Sequence, residues 1–263
     1  MQGVLTNADS QVHTVSLGGG VPRTGYFHQK GAKAKTLKIV CKSCNNGWMS
    51  VLTDAAKSII LRIHNQADAP LSKQDKNFLY IYFAMLTMVI EFADYNTVAI
   101  TQNERSKFYL RRELSSGWQL YIGFLDKIYG HGFNHVAWSD APISFIRSSC
   151  EEYSINLMTN QVTVLYLGAL AVFVSSTQQL MHPKLRGDVD GLLRIFPEGD
   201  FSSGLDRVIT PQLMDKNFRM MLPEQLARKV RSQWDTLQDA RSGRRRDLND
   251  SAYLTNEILG NSG

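Results

Sequence analysis

Between Ser72 and Ala93 the chain carries apolar side chains at so many positions that no single face of a helix can hold them. Phe78, Leu79, Ile81, Tyr82, Phe83, Met85, Leu86, Met88 and Val89 circle the axis, and a helix that is apolar all round has to be surrounded by other elements. The apolar run within it, Leu79 to Ala93, is too short to span a bilayer and is interrupted by Glu91; Val162 to Val174, broken by Gly168, is shorter still. Both read as buried core elements of a chain with no membrane span. Ser72, with Asp75 three residues on, resembles a capping box in which Asp replaces the usual Glu or Gln. That places the start of the helix.

The neighbours that must cover this helix are also legible. From Trp48 onward, Trp48, Leu52, Ala55, Ala56, Ile59, Ile60 and Ile63 recur at helical spacing on one face, with Asn46 or Ser50 as candidate caps. A shorter amphipathic helix is expected from Gln102 to Leu114, with Arg105, Lys107, Arg111 and Arg112 on its polar side. The pattern then turns to short runs rich in aromatic and β-branched residues: Trp118 to Leu125, His135 to Trp138, Ile143 to Arg147, Tyr153 to Met158, Val162 to Leu167, Ala169 to Ser175 and Leu192 to Phe196. A last helix is expected from Pro223, suited to a first helical turn, to Ala240. Helices followed by many short strands predict an α+β fold, with helices packed on an antiparallel sheet. No internal repeat is present.

The 263 residues allow one large domain or two ordinary ones, and a hydrophobic content of 43% is that of a globular protein. The expected organisation is a lead-in and small metal module over residues 1–66, an α+β body over 67–240, and a basic, flexible tail over 241–263. The lead-in is polar and Gly-rich around Gly18-Gly19-Gly20, with one short strand around Val12 to Leu17. The N-terminus lacks a basic-then-apolar signal pattern, which makes the cytoplasm the default location. Three cysteines, two of them three positions apart, point to a metal or to reduced thiols rather than to a disulfide framework.

The net charge is +5. Its placement says more than its size, because Lys30, Lys33, Lys35, Lys38 and Lys42 crowd the approach to Cys41 and Cys44, while Arg241, Arg244, Arg245 and Arg246 gather near the C-terminus. Such runs can neutralise the phosphates of a nucleic acid and release counterions. A solvated face and a polar tail are the plain alternatives.

A Cys-x-x-Cys turn lets two thiolates reach one tetrahedral Zn²⁺, filling half of its positions. Here the β-type run Thr36 to Val40 leads into Cys41-Lys42-Ser43-Cys44-Asn45-Asn46-Gly47-Trp48-Met49-Ser50, and an amphipathic helix follows. Over residues 36–64 this resembles a group of bacterial and phage proteins related to HNH endonucleases, of the zinc-type, treble-clef kind. The resemblance implies a partial treble-clef (ββα-type) module and metal-dependent cleavage of phosphodiester bonds in DNA. It implies structural Zn on Cys41 and Cys44, a catalytic Mg or Mn held by Asn45, and a His on the preceding hairpin as general base. His28 is the candidate for that base. Lys33, Lys35, Lys38 and Lys42 would meet the nucleic acid.

The upstream half departs from the family pattern. No cysteine precedes Cys41, no Glu-His pair is present, and only His13 and His28 lie upstream. The chain therefore reads as a degenerate or N-terminally shortened member. The second reading is a non-catalytic protein that binds nucleic acid or a protein partner, or assembles with itself, and keeps only the structural motif. Other groupings are poorer. His131 and His135 stand four apart, but Gly130 and Gly132 suggest a loop. Cys150-Glu151-Glu152 reads as a half-buried thiol beside surface acids, and the Gly18 to Gly20 run lacks the Lys and Ser or Thr of a phosphate-binding loop.

Overall fold

The alternation of Trp118 to Leu125 makes it the centre of the architecture. Trp118, Leu120, Ile122 and Phe124 bury one face of this strand among the helices, while Tyr121 and Leu125 bury into a second apolar cluster. A strand covered on both faces must lie inside a layered fold. The computed structural model describes residues 11–18, 21–28, 39–65, 70–93, 98–126, 131–138, 159–177, 191–197 and 208–222.

In chain order these form β1 (Gln11–Gly18), β2 (Val21–His28), α1 (Lys42–Asn46), α2 (Trp48–Asn65), α3 (Lys73–Ile90) and α4 (Gln102–Arg111). Then follow β3 (Trp118–Leu125), β4 (His131–Trp138), β5 (Asn160–Leu167), β6 (Leu170–Thr177), β7 (Leu193–Phe196), β8 (Val208–Ile209) and α5 (Pro211–Met220). One sheet runs in the order β2-β1-β4-β5-β6-β3-β7, with β8 beside β3. Five consecutive strands, β4-β5-β6-β3-β7, pair antiparallel. Two parallel contacts extend the set, β1 on β4 and β8 on β3. The protein has the α+β class, with helices against an antiparallel sheet.

α3 lies over the sheet as its composition requires. Leu79, Phe83, Ala84, Met85 and Met88 are buried, in a cluster shared with Leu52, Ile59 and Ile63 of α2 and with β3 and β6. The boundary expected at residue 66 therefore does not divide the hydrophobic core. The capping box at Ser72 forms: Ser72 Oγ accepts from Asp75 N, and an Asp75 carboxylate oxygen accepts from Ser72 N. Arg62 of α2 reaches the same carboxylate at 2.6 Å and ties the two helices together. At its far end α2 is fixed by His64, whose Nε2 lies 2.9 Å from Leu167 O. The turn there passes through Gly168 at φ +70, where a side chain would be strained and would press on the His64 ring. The opposite face of the sheet is covered by Met214 and Phe218 of α5 and by Met221 and Leu222 just after it, which cluster with Tyr121, Phe173 and Val164.

Several expectations need correction. The region read as a loose lead-in contains a full hairpin, β1–β2, joined to the sheet through β4. Pro22 and Gly25 hide β2 from a strand pattern, and both are tolerable because β2 is the outermost strand of the order. Gly132 lies within β4 rather than in a loop. Ile39 and Val40 are not in a strand, and a short helix, α1, capped by Cys41, precedes the helix that begins at Trp48. α5 begins at Pro211, behind the N-cap Thr210, a helix the apolar pattern did not mark. The runs Ile143 to Arg147 and Tyr153 to Met158, the helix expected from Pro223, and the 241–263 tail lie outside the described residues.

Candidate metal centre

The Cys turn is built by its own backbone. Cys41 is extended and caps α1, with its sulfur accepting from Cys44 N at 3.3 Å. Cys41 O accepts from Asn45 N at 3.0 Å, and Ser43 Oγ lies 3.2 Å from Cys41 Sγ. Ser43 and the Cys44 amide thus both hold the first sulfur, while Cys44 follows one helical turn later. Gly47 breaks α1 from α2: a Cβ there would meet Ser43 O at 2.6 Å, closer than a side chain can sit. The motif's glycine is the one residue that lets the Cys turn fold this tightly against the start of α2.

The two thiols are free and unequal. A hydrogen bond from the Cys44 thiol, helped by Ser43 and by the Cys44 amide, lowers the Cys41 pKa to about 7. The same bond raises Cys44, because the proton is held between the sulfurs, and partial desolvation adds to the effect. A Cys pair in which one thiol ionises more readily than usual can offer a thiolate to a soft divalent cation such as Zn²⁺. The donor set supplies two of the four positions of Zn²⁺. Among the described residues, no group of three or more His, Cys, Asp or Glu side chains adds to it.

A wall of aromatic rings stands beside Cys44. Trp48, the first residue of α2, packs edge-on against Phe108 at 6.2 Å and against Tyr109 at 6.4 Å. The Arg112 guanidinium lies over the Trp48 ring at 3.6 Å and near Tyr109 at 5.7 Å. Trp48 and Tyr109 both act to lower the Cys44 pKa, against the larger opposing effects of Cys41 and burial. Burial lowers the Arg112 pKa, and Tyr109 and Cys44 act against that shift. These residues at the end of α4 went unseen in the sequence because they lie about sixty positions from the motif; Arg112 was expected on the polar side of the helix, and Phe108 and Tyr109 were not singled out. The single hint was an aromatic pair, Phe108-Tyr109, close to an arginine.

The remaining predicted residues are placed as follows. Asn45 is exposed on α1, and its Nδ2 donates to Asn46 Oδ1 at 3.3 Å. Lys42 is exposed in the first turn of α1. His28 closes β2, paired in register with Gln11, and His13 lies in β1. Lys33, Lys35 and Lys38, like Cys150 and the arginine cluster near the C-terminus, lie outside the described residues. The structure brings Cys41, Cys44, Asn45 and Lys42 onto one short helix.

Two other groupings resolve as structural. His131 and His135 lie on one strand, where four residues span roughly 13 Å, too far for one ion; buried His135 sets Nδ1 2.7 Å from Thr163 Oγ1. Arg105, expected on the outer side of α4, turns inward to buried Glu91, whose Oε1 accepts from Ala99 N at 3.0 Å and Ile100 N at 3.3 Å. Among the described residues, no helix is long and apolar enough to cross a membrane. Comparison of the chain with protein-family models, with characterised proteins and with solved structures gave no significant match.

Proposed function

We propose that the protein is an HNH endonuclease-like, metal-dependent phosphodiesterase acting on DNA, with a zinc-binding Cys pair beside its catalytic positions. The observation that carries this reading is the motif Cys41 to Ser50 folded as a capped Cys-x-x-Cys turn that hands directly into α2. A hairpin, β1–β2, precedes the turn in the chain, an element order compatible with this reading. Its second strand ends at His28.

In this reading Cys41 and Cys44 would hold zinc, which would fix the turn, and Asn45 would help to hold a Mg²⁺ or Mn²⁺ that polarises the scissile phosphate. His28 would take the proton of the attacking water. Lys42, with Lys33, Lys35 and Lys38, would bind the backbone phosphates and supply affinity rather than sequence choice.

The test is nicking of supercoiled plasmid with Mg²⁺ or Mn²⁺ by the native protein, by Asn45→Ala and by His28→Ala. Metal-dependent nicking lost in both variants is expected. Nicking that persists unchanged in Asn45→Ala would remove its metal role. Salt-sensitive DNA binding with no nicking would favour the non-catalytic nucleic-acid-binding protein instead.

A further inference from the structure

The side chain of Arg112 is the strongest feature still without a task. Arg112 is the one non-glycine residue among those described with a positive φ, 60°, at the C-terminal end of α4. Glycine is favoured there, since a Cβ is strained in this conformation. The backbone bonds at that position need no side chain: Arg112 N donates to Phe108 O at 2.8 Å, and Arg112 O accepts from Tyr80 Oη at 3.3 Å. The guanidinium lies over the Trp48 ring at 3.6 Å, with Nη1 donating to Phe108 O at 3.1 Å. Among the described residues, its other N–H groups make no hydrogen bond and no carboxylate pairs with it. Strained backbone of this kind concentrates at sites that bind something.

Beside this cation the surface is apolar and open. The Tyr109 ring centroid lies 5.7 Å from the guanidinium carbon and 6.4 Å from the Trp48 ring, and the residue is 51% exposed. Leu110 is 75% exposed. Lys107 and Arg111, both exposed and one turn apart, occupy the next row of α4 beyond Leu110. Neither forms an ion pair among the described residues, in contrast to Arg62 and Arg105. The acids nearby do not neutralise this face. Glu104 accepts from Ser115 Oγ at 2.7 Å and from Trp118 Nε1 at 2.6 Å, and exposed Glu113 pairs with none of the three cations. Unpaired cations around an exposed ring suit an anion that also carries flat apolar groups. A second copy of the same face would set cation against cation, and an acidic peptide would answer the charge but leave the ring uncovered.

We infer that Arg112 and Tyr109 form a nucleotide subsite for single-stranded DNA, the guanidinium taking a backbone phosphate and the open face of the phenol ring an unstacked base. The inference rests on the nucleic-acid reading given above, but it needs neither zinc nor cleavage. Aromatic side chains beside a basic track bind single strands because every base has a π face, whereas the bases of a duplex cover one another. Stacking on Trp48 occupies a face of the Arg112 guanidinium and leaves the donors along its edge for phosphate oxygens. Lys107 and Arg111 hold phosphates further along the strand and add affinity without reading sequence. Trp48 follows the Cys turn directly and underlies both groups, which sets the subsite beside the motif.

The experiment measures binding of labelled oligo-dT, and of a labelled duplex of equal length, to the full-length protein over a range of salt. No Mg²⁺ or Mn²⁺ is added, so that cleavage does not intervene. Native protein is compared with Tyr109→Ala, with Tyr109→Phe, which keeps the ring, and with Arg112→Gly, which relieves the backbone and removes the cation; thermal unfolding reports on the fold. Native protein is expected to bind oligo-dT more tightly than duplex. Tyr109→Ala should lose about 10-fold or more on oligo-dT, while Tyr109→Phe stays near native. Arg112→Gly should weaken binding and flatten the log–log salt dependence by about 0.7, the share of one single-strand phosphate. A packing role alone would not change that slope, and Tyr109→Ala should leave it unchanged. Native-like oligo-dT binding by folded Tyr109→Ala and Arg112→Gly would overturn the inference, and plasmid nicking by the native protein would still support the endonuclease reading. Polyglutamate competing as well as unlabelled oligo-dT would also overturn it and assign the face to an acidic partner. Tyr109-dependent binding of oligo-dT without nicking would uphold the inference and remove the catalytic reading. Absence of any DNA binding would overturn both.

Discussion

Glu91 shows how one residue can be both a latch and a liability. It is fully buried, and its carboxylate is met by two backbone amides and by Arg105, which also lies 4.5 Å from the Phe92 ring. Burial pushes its pKa up to about 7, although Arg105 and the amides pull the other way. An acid whose folded pKa lies above its unfolded one contributes stability that is complete below the unfolded value. That contribution is lost as pH rises through the folded value. Urea unfolding of the native protein should therefore show declining stability between about pH 4.5 and pH 7, with a total loss of up to about 3 kcal/mol. Glu91→Gln should lack that slope, and parallel pH profiles for the two proteins would contradict the assignment. Gly47 makes a second point at this scale. Gly47→Ala forces a methyl group onto Ser43 O, so α1 should open and Zn²⁺ affinity should fall at least 10-fold, as it does when groups that orient a ligand are displaced. Unchanged affinity in that variant would mean that the turn is not held as described.

Elements were legible where the local pattern and the tertiary role agreed. β3 occupies the same residues, Trp118 to Leu125, that its aromatic and β-branched content predicts, because both of its faces are buried and both select apolar side chains. α3 starts where its capping box says, at Ser72. Ser72→Ala should cost about 1 kcal/mol, measured as a lower urea midpoint with an unchanged slope. Legibility failed where a distant contact overrode the local rule. Arg105 and Arg112 look like the solvent side of α4, yet one pairs with Glu91 and the other with Trp48. β2 and the first half of β4 contain Pro22, Gly25 and Gly132, which break the strand signal, but hydrogen bonds to a preformed neighbour hold them in the sheet. The tight Cys turn leading into a helix was legible in the sequence. The aromatic wall beside it was not, since nothing in the sequence joins residue 48 to residues 108–112.

At the scale of the molecule, the Cys motif is a surface feature on a separately stabilised body. α1 buries none of its residues, whereas α2 and α3 share their core with the sheet. In the metal-free protein, Cys41→Ser should therefore change global stability by no more than about 0.5 kcal/mol. Phe83→Ala, in the centre of the core, should cost about 3–5 kcal/mol. If the Cys pair holds zinc, chelation should remove it without unfolding the chain, unlike a small zinc finger that depends on its metal to fold. The body gives the motif a rigid base through α2, fixed at one end by the Trp48 cluster and at the other by His64 on Leu167. Everything proposed about nuclease chemistry depends on the Cys pair binding metal on that base. The direct measurement is the zinc content of the purified native protein beside the Cys41→Ser, Cys44→Ser double variant. The account predicts stoichiometric zinc in the native protein and none in the variant; no zinc in the native protein, or equal zinc in both, would contradict it.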